Sequence, residues 1–554
     1  MIEYKSSNNI HISIKFWISI LIITTIFLSG PDIHAAEQYK KLARDAVSDI
    51  VDGKYDAAIE HFEGYLSEHS KDLESMYGMA VAYAQKQEID KAVTYVQKAV
   101  DEGLPFARFL AGPRDLLKPL TSSPEFKVLA DKYAAELLHG PMLGCVTESS
   151  AKFWIRTTNE VAVEVVVKSA RTGDSFQKRS TGKTSSKLDF TAVLAIEGLK
   201  PATLYEYEIR INGGSKTGGG CFRTFDPSGK PTKFQVGFGG GAGFTPQYER
   251  MWNTISNHNI PAFLLLGDNV YIDNPTRPAI QQYCYYRRQS RPEFRRFVAS
   301  TSIFAIWDDH DFTTNDAGGG PEIYTPEWKI PVWWTFTYNW NNPYYGGGEK
   351  QPGCWFDFSI GDVDFFMLDG RYYRDKPQIE NPSMLGGAQK KWLFEKLKSS
   401  KATFKVLASP VPWALGAKPG SRDPWQGYRE ERELIFSFLE SNHIDGVILI
   451  SADRHRSDAW KIERENGYDL YEFESSKLTN IHTHKIMPGA MFGYNKKCSF
   501  GLLTFDTTKT DPEVTYQIIS IDDELVWEFS LKKSQLTHNK TKYRLCGQRL
   551  DSPK

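Results

Sequence analysis

Cysteine is scarce in this sequence. Six residues, at 145, 221, 284, 354, 498 and 546, are spread over 554 positions. No two form a CxxC pair, which excludes a zinc ribbon and a fold held by dense disulfides. Cys145 and Cys221 flank one small segment and could pair in an oxidising compartment; the alternative is buried free thiols. Neither sign of charge dominates. With 67 Lys and Arg against 68 Asp and Glu, the formal net charge is −1, which argues against specific nucleic-acid binding through a general electrostatic grip. Long apolar runs are absent apart from one. Lys5 and Lys15 precede a run from Phe16 to Leu28, and Ala35-Ala36 follows it. That run has the length of a signal h-region and is short for a membrane span. We therefore expect export to a periplasm or the extracellular space, with 1–36 as the signal; left uncleaved, it would act as an N-terminal membrane anchor. No cysteine follows the run, so a lipoprotein anchor is not expected.

What the sequence does contain is enough apolar material for several cores: 41% hydrophobic and 13% aromatic residues. The length predicts roughly three or four domains. Residues 37–137 read as helical repeats. Asp56 and Asp90, and Ala58 and Ala92, lie 34 residues apart, the tetratricopeptide period. Such repeats serve either as a docking surface for a protein partner or as a brace against the next domain. From 138 to 228 the apolar period shortens to two, and Gly198 to Tyr205 reads as the turn before a late strand of a fibronectin type III-like sandwich with a tyrosine at its corner. From 229 to 535 strands alternate with helical patterns, and 536–554 form a polar tail. The fold class is thus multidomain: an N-terminal all-α repeat segment, a small all-β sandwich and a large α/β domain. The Trp-, Tyr- and Gly-rich stretch 333–358 reads as an irregular excursion, a lid or pocket wall.

In the α/β part, short apolar runs end abruptly in acidic, amide or histidine residues. Phe263–Leu266 runs into Gly267-Asp268-Asn269-Val270-Tyr271. Ile303–Ile306 runs into Trp307-Asp308-Asp309-His310-Asp311. Phe365–Leu368 runs into Asp369-Gly370-Arg371, and Val447–Ile450 into Ser451-Ala452-Asp453-Arg454-His455. Such runs are buried strands, and in open α/β sheets sites form where the carboxyl ends of strands converge. Asp, Asn and His delivered to one edge make an oxygen- and nitrogen-rich metal site. Asp268 is placed to bridge two metals. Asp309 can ligate while His310 protonates a leaving oxygen. Asn315 follows on the same loop. Asp453 and His455 share a face at i, i+2, and Arg371 can hold phosphoryl oxygens in a fork. His258 and His443 precede strands and read as structural; His482 and His484 are left open.

These motifs, with Met384-Leu385-Gly386, Gln389 and Trp392, and Asp423-Pro424-Trp425-Gln426-Gly427-Tyr428, resemble a PhoD-type alkaline phosphatase, a branch of the calcineurin-like metallophosphoesterases. The resemblance implies a four-layer metallophosphoesterase domain and a phosphomonoesterase or phosphodiesterase that attacks its ester with a metal-bound hydroxide. It implies that Asp268, Tyr271 and Asp309 ligate metal and that Asp453 and His455 complete the site. One departure matters. The family's first strand ends in Gly-Ser-Cys, whose thiolate holds iron; here the run Phe234–Phe238 is followed by Gly239-Gly240-Gly241-Ala242-Gly243. Gly241 stands where the cysteine would be, which disfavours iron and makes calcium the first expectation, with manganese, magnesium or zinc as the other candidates. The glycines could instead bring backbone amides to phosphate. The expected substrate is a small phosphate ester or a lipid headgroup. The competing reading is a catalytically altered phosphatase-like scaffold that binds partners through its repeats.

Overall fold

The computed structural model describes residues 43–133 and 136–538. The expected signal, Cys546 and all but the start of the polar tail lie outside them. Among the described residues no helix is long and apolar enough to cross a membrane.

Residues 43–51 are helical and lead into α1 (Tyr55–Glu68), α2 (Leu73–Gln85) and α3 (Ile89–Asp101). The side chain of Asp72 caps α2 by accepting from the Ser75 amide at 2.8 Å, satisfying one of the orphan donors at the helix start. Ala58 and Ala92 are fully buried. The tightest approach is at Gly78, where a Cβ would come within 2.1 Å of the Phe62 ring. α2 is buried on nearly every side because short helices at 107–111, 114–121 and 124–133 and the α/β part enclose it. The repeat segment is anchored on both neighbours. Tyr283 donates to Glu74 at 2.8 Å, and Arg114 donates to the carbonyls of Thr157 and Thr158.

Strands β1 (Leu137–Gly144), β2 (Ser150–Thr157), β3 (Ala162–Ser169), β4 (Gln177–Lys183), β5 (Thr191–Glu197), β6 (Leu204–Ile211) and β7 (Lys216–Arg223) build the sandwich. Its corner tyrosine is Tyr205, whose hydroxyl accepts from the Lys200 amide at 2.9 Å. One layer is β4-β3-β6-β7. The other layer is not closed on itself. β1, β2 and β5 continue a sheet of the α/β part, whose strands are β8 (Lys233–Gly239), β9 (Ala262–Leu266), β10 (Ser302–Ile306), β11 (Phe356–Ile360), β12 (Val363–Met367), β13 (Phe404–Ala408), β14 (Val447–Ser451), β15 (Ser457–Ile462), β16 (Leu470–Ser475), β17 (Phe492–Tyr494), β18 (Ser499–Asp506), β19 (Glu513–Ser520) and β20 (Leu525–Lys532). The nine-stranded sheet runs β20-β19-β18-β8-β9-β10-β1-β2-β5, and the seven-stranded sheet runs β11-β12-β13-β14-β16-β15-β17. β8, β9 and β10 are mutually parallel, as are β12, β13, β14 and β16. The two sheets face each other through aromatic side chains such as Phe234, Phe365, Phe404, Phe505, Phe473 and Tyr516, and helices such as 292–300 and 386–399 cover them. β9, β10, β13 and β14 are buried at every residue, which is why they read as unbroken apolar runs.

One open alternative is decided and one expectation is corrected. Cys145 and Cys221 are free: Cys145 is buried with its thiol donating to the Asn341 carbonyl, and Cys221 is exposed on the other sheet. The aromatic stretch is not a lid. It opens with a helix, Lys329–Asn339, whose Trp333 and Phe336 enter the core. Beyond it, the Asn342 side chain pairs with both the amide and the carbonyl of Ala305, and the Asn341 amide donates to the Met142 and Lys152 carbonyls. The segment thus fills the gap left where β1 and β10 pair only at Gly144 and Ile303.

Candidate metal centre

The loops after β9, β10, β12 and β14 meet at one edge of the two sheets. Gly267 lies at φ +99, and a Cβ there would fall 2.5 Å from that of Asp308, so glycine is what lets these two loops touch. Asp311 ties them: its carboxylate accepts from the amides of Asn269 and Val270 and from the Asn269 side chain, at 2.9–3.0 Å. The result is a cluster in which donor atoms of Asp268, Asp309 and His310 lie within 4.8 Å of one another. Asp268, Tyr271, Asp273, Asp453 and His455 all adopt positive φ, between +50 and +75. Such backbone costs about 1–3 kcal/mol per residue and persists where surrounding structure imposes it.

The electrostatics follow from burial of many acids together. Burial holds the Asp268 carboxyl well above the usual carboxylate range; His310 opposes this, and Asp309, Asp308 and Asp311 add to it. Burial likewise pushes Asp311 up to about 6. Asp309 stays below its ordinary value because Arg371, His310 and the Asp316 amide outweigh its burial. Burial alone would lower His310, but Asp268, Asp309 and Asp273 push it up to about 10. Its Nδ1 lies 2.5 Å from Asp273 Oδ1, and its ring stacks on Tyr271 at 4.6 Å. The Tyr271 hydroxyl accepts from Asn480 at 2.6 Å and lies 3.4 Å from His455 Nε2.

Asp453 and His455 arrive from β14. Asp453 faces Lys418 at 3.6 Å, and the His455 ring lies 6.5 Å from that of Tyr271. His482 and His484, left open from the sequence, pack edge-on against His455 at 5.2 and 5.5 Å. Burial and then Arg454 hold the His484 imidazole neutral, down to about 3. Asn315 does not join the cluster; it is exposed on the loop beside Asp316. Arg371 does not open onto the site either. It is fully buried, with its guanidinium donating to Asp308 at 2.5 Å, to Asp423 at 2.7 Å and to the Ala317 carbonyl. All its strong contacts are inside the protein, so a fork for phosphoryl oxygens is not what this geometry offers.

The glycine-rich loop is also committed. The amides of Gly240, Gly241 and Ala242 donate to the carbonyls of Ser475, Gly267 and Asp268, so they do not form a phosphate cradle. Gly241 lies at φ +66, and a Cβ there would sit 3.0 Å from the Lys477 amide. The stretch 477–480 lies against this loop, with the amides of Lys477 and Leu478 donating to Gly240 and Thr479 Oγ1 donating to Gly243. The candidate donors are therefore carboxylate and phenol oxygens and imidazole nitrogens, without a thiol. Asp268 Oδ1 is buried with no hydrogen-bond partner. A buried, unpartnered carboxylate oxygen among like charges fits a bound cation.

A family model described as PhoD-like phosphatase matches residues 236–527. The chain belongs to the PhoD-like phosphatase family. Further models match a Tetratricopeptide repeat at 51–110 and a Domain of unknown function (DUF7800) at 134–217. The curated Alkaline phosphatase D of Bacillus subtilis (strain 168) is 23% identical over 350 residues, covering 54% of this chain and 58% of that protein. The match thus spans little more than half of the relative. The solved structure of PhoD superposes with a TM-score of 0.61 at 18% identity, over 72% of this chain and 91% of that one. The purple acid phosphatase PPD1 from yellow lupin (Lupinus luteus) seeds gives 0.51 at 13% identity, over 72% and 75%. These likenesses establish the shared fold. Sequence reasoning on this PhoD-like chain missed Asp273, Lys418 and Asn480, and gave Asp423 no role although its motif was noted. Asp273 follows Tyr271 by two residues, a signal that was available; Lys418 and Asn480 carry none.

Proposed function

We propose that the protein is an exported, metal-dependent phosphoesterase. The observation that carries this reading is the close grouping of Asp268, Asp309 and His310 donor atoms where the strands of both sheets end, with Tyr271, Asp453 and His455 beside it. Asp268, Tyr271, Asp309, Asp453 and His455 would hold the metal. Metal ions bound there would lower the pKa of a water nucleophile and stabilise the charge on phosphoryl oxygens. The donor set is hard, which favours calcium, manganese or magnesium over thiolate-held iron.

The chain's own residues do the rest. Asp273 engages Nδ1 of His310, which leaves Nε2 to hand a proton to the departing oxygen, the general-acid role. Arg371 positions Asp308 and Asp423 and, through the charge it places 3.9 Å from Asp309, keeps that carboxylate ionised. The test is phosphate release from monoesters and diesters after chelation, with calcium, manganese, magnesium, zinc and iron added back singly. Activity restored by one of the hard ions is the expected result; folded protein that releases no phosphate with any ion would sink the reading.

A further inference from the structure

The helical segment reaches the candidate centre. Arg44 lies on the helical stretch 43–51. Its Nη1 donates to Oδ2 of Asp273 and to the Tyr271 carbonyl, the latter at 3.2 Å. The other carboxylate oxygen of Asp273 holds His310 Nδ1. One carboxylate, 229 positions from Arg44 in sequence, thus joins an arginine of the repeat segment to the histidine of the centre. The side chains of Arg44, Asp273 and His310 are only 12, 22 and 18% exposed, so water competes weakly for these bonds. The approach is fixed nearby as well: Arg277 pairs with Asp52 at 3.0 Å, and the rings of Tyr77 and Tyr283 stack at 6.1 Å.

We propose that Arg44 is a positioning residue for His310, so that the repeat segment is part of the catalytic unit rather than a detachable docking module. The inference rests on the reading of His310 as general acid. Its physical basis is that Tyr271 and Asp273 both sit at positive φ, +56 and +55. Such a backbone is not maintained by local preference. Arg44 bonds the carbonyl of the first and the carboxylate of the second, pinning the loop at both strained positions. A carboxylate held on both oxygens fixes the plane of the imidazole it accepts from, and with it the direction of Nε2. Removing the guanidinium frees Asp273 to turn and His310 to follow.

The test uses the full chain with Arg44→Ala, Arg44→Lys and His310→Gln, each assayed on two phosphate esters of the class the protein turns over. A dinitrophenyl ester has a leaving group that needs no proton; an alkyl ester has one that does. We expect Arg44→Ala to lower kcat on the alkyl ester by about 10–100-fold with KM unchanged. The dinitrophenyl ester should be nearly unaffected, and added guanidinium ion should restore part of the alkyl-ester rate. His310→Gln should show the same pattern more strongly, by about 10²–10⁴-fold. Folded Arg44→Ala that loses nothing, or loses equally on both esters, would overturn the inference while leaving His310 as acid. His310→Gln without a leaving-group effect would overturn the acid reading itself and Arg44's role with it. Should Arg44→Ala fail to fold, Arg44→Lys, which keeps the charge but lacks the fork, decides by the same comparison.

Discussion

Asp268, Asp308, Asp309 and Asp311 crowd four buried carboxyls around one histidine and one arginine, and the two cations do not play equivalent parts. His310 shares the cluster with the donor atoms of Asp268 and Asp309, whereas Arg371 is enclosed by Asp308 and Asp423. Asp268→Asn should remove metal binding and phosphate release, measured by metal content and turnover. It should leave the metal-free protein no less stable in thermal unfolding, because it replaces a carboxyl already disfavoured by burial and like charge. Arg371→Ala should behave oppositely. It strands two buried carboxylates and should lower stability by about 3–5 kcal/mol, read as a drop in the urea midpoint; an unchanged midpoint would show that its pairing with Asp308 and Asp423 carries little energy. The residues legible from sequence, Asp268, Tyr271, Asp309, His310, Asp453 and His455, follow apolar strands directly, so the strand pattern itself reports them. Arg44, Lys418 and Asn480 enter from other elements, and no local pattern marks such an approach. Arg371 was legible as a position but not as a partner, since only the fold shows that Asp423 takes its guanidinium.

At the scale of elements, the glycine-rich loop after β8 and the stretch 477–484 act as one piece. A cysteine at Gly241 would press its Cβ on the Lys477 amide at 3.0 Å and would have to adopt a left-handed backbone, φ +66. Gly241→Cys should therefore not rebuild a thiolate site. It should destabilise by about 1–3 kcal/mol and leave the iron content of the purified protein unchanged; a gain of bound iron with normal thermal stability would contradict this. The helix 329–339 teaches a related point. Its aromatics could be counted in the sequence, but whether they cover a pocket or fill a core depends on the β1–β10 gap, which the sequence does not display. The repeat period and the buried strands of the α/β part were legible because each is a local regularity; the sharing of one sheet between sandwich and catalytic part was not, because it rests on a single backbone register.

Across the whole molecule, the join between sandwich and catalytic part has its own titration. His139 is fully buried there, accepting from Arg156 at 2.9 Å and lying 3.0 Å from Ser290. Burial, and then Arg156, push its imidazole well below the ordinary 6.5. The folded protein keeps it neutral while the unfolded chain takes up a proton below that value. Its contribution to stability is thus complete above pH 6.5 and is lost as pH falls, at about 1.4 kcal/mol per pH unit. His139→Gln should flatten this part of the stability–pH curve between pH 6.5 and 5, measured by urea unfolding; an identical slope in the variant would remove His139 as its source.

The sheet order that runs from β20 to β5 through one β1–β10 pair also has a consequence for anyone who would shorten the protein. A chain started at residue 229 would remove the Gly144 partner of Ile303 and leave that end of β10 uncovered, while Asn342 would still cap Ala305. Such an edge is a template for pairing with a second molecule. The same cut would discard Arg44. A fragment chosen by the apparent seams would lose a sheet neighbour of β10 and a partner of Asp273 together, so these parts are separable on paper but not by scissors.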